Sequence, residues 1–145
     1  MARARDSLTI CAVNSNLIGD AMTIALWCVL TAGLLPYVST LVAKSKGPYN
    51  NHAPREWLQS QTGFRQRANA AQHNSFEAFP LFAAAVIIAQ LLHAPHATID
   101  KLALAFIAAR LLYTVCYLAD WASLRSLVWF AGMVCVVSIF VAAAR

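Results

Sequence analysis

Apolar positions along this chain come in long blocks and not in alternation. From Met22 to Ala43 there is no charged side chain, and the first charge after them is Lys44. At about 1.5 Å of rise per residue, a helix of this length crosses a hydrocarbon core of about 30 Å. Three further apolar blocks follow, near residues 70 to 92, 102 to 119 and 126 to 144, separated by short polar breaks. The pattern predicts four transmembrane helices, because in lipid each backbone polar group needs a partner within its own segment. The blocks fill nearly all of the chain beyond Ala21, with no internal repeat except the recurring helices and no low-complexity tract. The expected fold class is therefore all-α, an integral membrane four-helix bundle formed by residues 22–145. Residues 1–21 are read as a leader without an assigned role. Their short apolar patch is broken by Asn14, Ser15 and Asn16, unlike the continuous apolar core of a cleaved signal peptide.

Composition agrees. Of 145 residues, 60% are hydrophobic and 12% charged, and the mean hydropathy of +0.59 lies outside the usual globular balance. A net charge of +5 would suggest a nucleic-acid partner in a soluble protein. Here its placement gives another meaning. Lys44, Lys46, Arg55, Arg65 and Arg67 cluster in and beside the first connection against one acid, Glu56. By the positive-inside rule that loop faces the cytoplasm. Four spans then put both termini outside, and the turn around residues 120 to 123 falls on the loop's side. No nucleic-acid partner is expected. Cys11, Cys28, Cys116 and Cys135 are scattered without a CxxC, and His93 and His96 flank Pro95 in the opposite turn. These read as packing and loop residues, so no metal site or disulfide is expected.

Several polar side chains nevertheless sit inside the apolar blocks. Helical spacing puts Arg67, Asn74 and Glu77 on one face of the second span. Arg110, Thr114 and Tyr117, with Tyr113 alongside, form a stripe on the third. Arg110 and Glu77 both lie about 15 Å from the loop end. An unpaired charge at that depth costs about 2.5 to 3.5 kcal/mol or more, so the two are expected to pair within the bundle. Such a pair is either a clasp between helices or part of a polar ligand site, and intramembrane ionisable groups favour the second. Pro80 deletes the bond to the Phe76 carbonyl and suggests a kink. In "ASLRSLVWF", Ser123 reads as an N-cap with Arg125 and Ser126 in the first helical turn. A cation at that end opposes the helix dipole. It is explained either as a snorkelling interface anchor or as an anion site that combines guanidinium and dipole.

Taken together, Arg67, Asn74-x-x-Glu77 and Pro80 before an apolar run, "RLLYTVCYL" with Arg110, Thr114 and Tyr117, and "LRSLVW" with Arg125 and Ser126 resemble the MAPEG family of membrane-associated proteins in eicosanoid and glutathione metabolism. The resemblance extends from about Met22 to the end. It implies a homotrimer that binds glutathione as co-substrate between neighbouring subunits, on the cytoplasmic side. By the same resemblance Arg125 would hold the glutathione thiolate with help from Ser126, while Arg67, Asn74, Glu77, Arg110, Tyr113 and Tyr117 would grip the tripeptide. Ala70 departs from the pattern where many members carry another arginine. The loop "GPYNNHAPREW" looks like bacterial members, which implies an inner-membrane location and argues against eicosanoid substrates. The leading expectation is a glutathione-dependent transferase or peroxidase acting on hydrophobic electrophiles or lipid hydroperoxides. The alternative is a non-catalytic lipid-binding or scaffold protein of the same family. A small transporter fits less well, since no pair of discontinuous helices is visible.

Overall fold

The computed structural model describes residues 22–45 and 49–145; the leader read at residues 1–21 lies outside them. Five helices make up the described chain: α1 (Ile24–Lys44), α2 (Pro54–Gln59), α3 (Gly63–Leu91), α4 (His96–Leu118) and α5 (Ala122–Ala143). Four of them, α1, α3, α4 and α5, are long and apolar enough to cross a membrane. They form an up-and-down bundle in which α1 packs chiefly on α3 and α5 chiefly on α4. The expected all-helical, four-span architecture is the one observed, with α2 as an additional short helix in the first connection.

The helices begin earlier than hydropathy alone suggested. Residues 63 to 69, 96 to 101 and 122 to 125 are too polar to count towards an apolar block, yet they continue the helical hydrogen bonding beyond it. Between 22% and 28% of the most apolar stretch of each span is buried inside the bundle. The remaining surface is therefore apolar and outward-facing, as a helix solvated by lipid requires. The core is a narrow seam of Phe82, Val86, Ile99, Phe106, Val136 and Ile139, interleaved with alanines such as Ala25, Ala32, Ala85 and Ala103. Phe82 and Phe106 stack at 4.0 Å between ring centroids and 14° between planes. Small residues allow such close approach: a Cβ added at Gly33 would come within 3.3 Å of Phe79.

Both tight turns use the same device. After α3, His93 takes φ 52°, and after α4, Asp120 takes φ 63°. In each case that residue's own N–H and the following one close back on the helix. His93 N–H donates to Gln90 O and Ala94 N–H to Ala89 O, while Asp120 N–H donates to Tyr117 O and Trp121 N–H to Cys116 O. These are Schellman motifs, which satisfy carbonyls that would otherwise be orphaned at a helix end. At the opposite end from the basic loop, Asp100 of α4 accepts the Ala25 N–H at 2.8 Å and so caps α1 from a neighbouring helix. Gln90 donates to Thr23 Oγ1 at 3.0 Å beside it.

The first connection is also organised. Lys44 lies over the Tyr49 ring at 4.3 Å, Tyr49 meets Trp57 edge-on at 5.2 Å, and Arg65 lies 5.4 Å from the Trp57 centroid. These contacts tie the end of α1 to the start of α3 through α2, with the aromatic and basic character of a membrane–water interface.

Candidate functional site

The loop end of the bundle gathers the polar residues singled out from the sequence, though not all in the expected pairs. Arg67, in the first turns of α3, donates from Nε to the Leu118 carbonyl at 3.3 Å. It also forms an ion pair with Asp120 at 3.8 Å. Leu118 is the last residue of α4, so Arg67 satisfies a carbonyl that the Schellman turn leaves open. About two and three turns further along α3, Asn74 Nδ2 donates to Glu77 Oε2 at 3.4 Å. Asn74 Oδ1 is buried without a hydrogen-bond partner, and Glu77 is exposed on the outside of the single chain.

The expected pairing of Glu77 with Arg110 is not what the structure holds. Arg110 is 4% exposed and turned into the core, where its Nη2 donates to Ser75 Oγ at 3.1 Å. Ser75 donates its own hydroxyl hydrogen to Ala71 O at 2.8 Å, which leaves its lone pairs directed at the guanidinium. The physical reason is rotational. Ser75 and Glu77 differ by about 200° around the helix, so turning the first inward turns the second out. Among the described residues Arg110 and Glu77 form no ion pair.

From Arg110 an aromatic path leads back to the loop end. Its guanidinium lies over the Tyr113 ring at 4.4 Å. Tyr113 and Tyr117 meet edge-to-face at 5.4 Å and 69°. The Arg125 guanidinium then lies over the Tyr117 ring at 4.4 Å. Arg125 is half-buried in the first turn of α5, and its own N–H is taken by Trp121 O at 2.9 Å. Trp121, not Ser123, is the N-cap residue, and no side chain caps α5. Ser123 lies inside the helix because the preceding Schellman turn lets the helix start two residues earlier. Ser126 is exposed and its hydroxyl donates back to Ala122 O at 3.2 Å. Among the described residues, no carboxylate pairs with Arg125.

Two features were not foreseen. On the other flank of α3, Arg55, Gln59, Asn69, Gln72, His73 and Phe76 border a polar cleft of about 470 Å³ beneath α2. Gln72 Oε1 is buried there without a partner. Between α1 and α3 runs an apolar groove of about 590 Å³ lined by residues including Leu26, Leu30, Gly33, Phe79 and Ile87. A six-residue helix gives too short a periodic signal to place α2 over α3, so the cleft had no signature in the sequence. Among the described residues no group of His, Cys, Asp and Glu is arranged to hold a metal ion.

No curated protein and no solved structure matches the chain. The family model for MAPEG, membrane proteins associated with glutathione and eicosanoid metabolism, matches residues 24–145, the whole of the bundle. With four spans and that match along its length, the chain is an integral multi-pass membrane protein and belongs to the MAPEG family.

Proposed function

We infer that this protein is a glutathione-dependent membrane transferase or peroxidase that turns the glutathione thiol on apolar electrophiles or lipid hydroperoxides. The observation that carries the reading is Arg125. It is a half-buried guanidinium on a ring face at a helix N-terminus, without a carboxylate partner among the described residues. Guanidinium, helix dipole and low dielectric act together on an anion placed there. A free thiol has a reference pKa of about 8.5, and adjacent positive charge lowers it, so the bound sulfur would be held as the nucleophilic thiolate. The thiolate lone pair would form the new bond to the electrophilic carbon as the leaving group departs with its electron pair. Arg67, Asn74, Glu77, Tyr113 and Tyr117 supply donors, an acceptor and ring faces suited to the carboxylates and ammonium of a tripeptide. Ser126 stands next to Arg125, where a hydroxyl can join it.

The exposed Glu77 supports assembly. A carboxylate facing outward in a membrane span must be covered by protein or line a water-filled cavity, and a homotrimer would cover it with a second copy. We further place the basic first connection in the cytoplasm of a bacterial cell and both termini outside. A second reading, a non-catalytic lipid-binding protein of the same family, draws on the apolar groove between α1 and α3. Titration of the purified protein with glutathione, followed by thiolate absorbance in the short-wavelength ultraviolet, separates the two. The transferase reading expects thiolate on binding at neutral pH, and absence of binding leaves the lipid-binding reading.

A further inference from the structure

We propose that Arg110 is a positioning residue: anchored on Ser75 in the bundle core, it fixes the Tyr113–Tyr117 pair, and the ring face of Tyr117 holds the Arg125 guanidinium in place. The geometry is continuous. Arg110 is 4% exposed, with a fixed acceptor in Ser75 Oγ at 3.1 Å. Its contact with Tyr113, at 4.4 Å, sets the plane of that ring. The edge-to-face contact at 5.4 Å then sets the plane of Tyr117, because a rotated ring would lose the alignment of positive edge with negative face. Tyr117 presents its own face to Arg125 at 4.4 Å. Tyr113 is itself buried, 6% exposed, so the middle of the path is screened from solvent and the cation–ring attractions are strengthened.

This arrangement answers two difficulties. Arg110 has no carboxylate partner among the described residues, and ring face and hydroxyl together offset its charge. Arg125 begins a helix whose dipole repels it, and an aromatic face beside it holds the side chain where the dipole alone would drive it outward. Its value for chemistry rests on the thiolate reading of Arg125, but the positioning itself does not need glutathione.

The test therefore has two arms. In the first, purified protein without glutathione is treated with the arginine reagent phenylglyoxal, and the rate of modification at Arg125 is followed by mass spectrometry. Tyr117→Phe keeps the ring and should keep the slow rate. Tyr117→Leu, Tyr113→Leu and Arg110→Met should each accelerate it by a factor of about 2 to 30, the range of one cation–ring contact. Arg110→Lys should restore part of the protection. Thermal melting identifies any variant that fails to fold; if Arg110→Met does, Tyr113→Leu carries the test. A Tyr117→Phe rate as fast as that of Tyr117→Leu, or unchanged rates in Tyr113→Leu and Arg110→Met, overturns the proposal. The second arm measures glutathione thiolate absorbance. Protection that follows the expected order in a protein forming no thiolate overturns the activity alone. Thiolate formation without that order overturns the positioning alone.

Discussion

Ser75→Ala removes the acceptor of the Arg110 guanidinium and strands a buried donor, so stability should fall by about 1 to 3 kcal/mol. Thermal unfolding in one detergent would measure it. Because Glu77 and Arg110 point to different faces, a double-mutant cycle of Glu77→Gln and Arg110→Met should be additive within about 0.5 kcal/mol. A larger coupling would mean that the two charges do meet. At Arg125, replacement by Gln should slow glutathione conjugation of a chlorodinitrobenzene by roughly 30- to 1000-fold, the effect of losing about 2 to 4 kcal/mol of charge stabilisation. Tripeptide affinity should stay largely intact, since the other contacts proposed for it come from α3 and α4. Full turnover in that variant would reduce Arg125 to an interface anchor. The sequence revealed which residues were out of place in an apolar block, because charge and burial conflict visibly there. Their partners were hidden. Depth along an axis follows from counting residues, whereas the rotation of α3 about its axis is set by contacts such as Phe79 on Gly33.

Helices behaved more predictably than pairs of side chains. The four spans follow from block length and from the backbone's need for internal partners, and their existence was legible. Their first turns were not, since polar residues such as those at 96 to 101 extend a helix without extending its apolar block. The turn after α4 was equally unreadable: Asp120 adopts φ 63° without glycine, helped by its pairing with Arg67. Helix α5 offers a direct check on packing. A Cβ added at Gly132 would meet Ala109 at 3.7 Å and Phe106 at 3.9 Å, ordinary contact distances. Gly132→Ala should therefore raise stability by about 0.5 to 1 kcal/mol through helix propensity, read as a higher melting temperature. At Gly33 the same change brings the new methyl to 3.3 Å from Phe79, and the ring must shift to admit it.

As a whole the molecule is a thin bundle with an apolar exterior and polar side chains concentrated at one end. Labelling of a cysteine introduced at Asn50 in intact cells tests the orientation proposed for it. Reagents confined to the outside should leave that residue unmodified. The small space that Ala32, Leu35, Ser75, Phe106 and Arg110 enclose admits no water molecule, and the stacked rings of Phe82 and Phe106 fill the adjoining core. Ions and protons cross a bilayer along files of water or hydrogen-bonded chains that span it, and the contacts from Arg110 towards Tyr113 and Tyr117 run through ring faces and not through hydrogen bonds. The bundle is therefore expected to carry a fixed charge in its core without conducting ions or protons past it. Vesicles reconstituted with this protein should hold an imposed pH gradient as long as protein-free vesicles do, followed with an entrapped pH-sensitive dye.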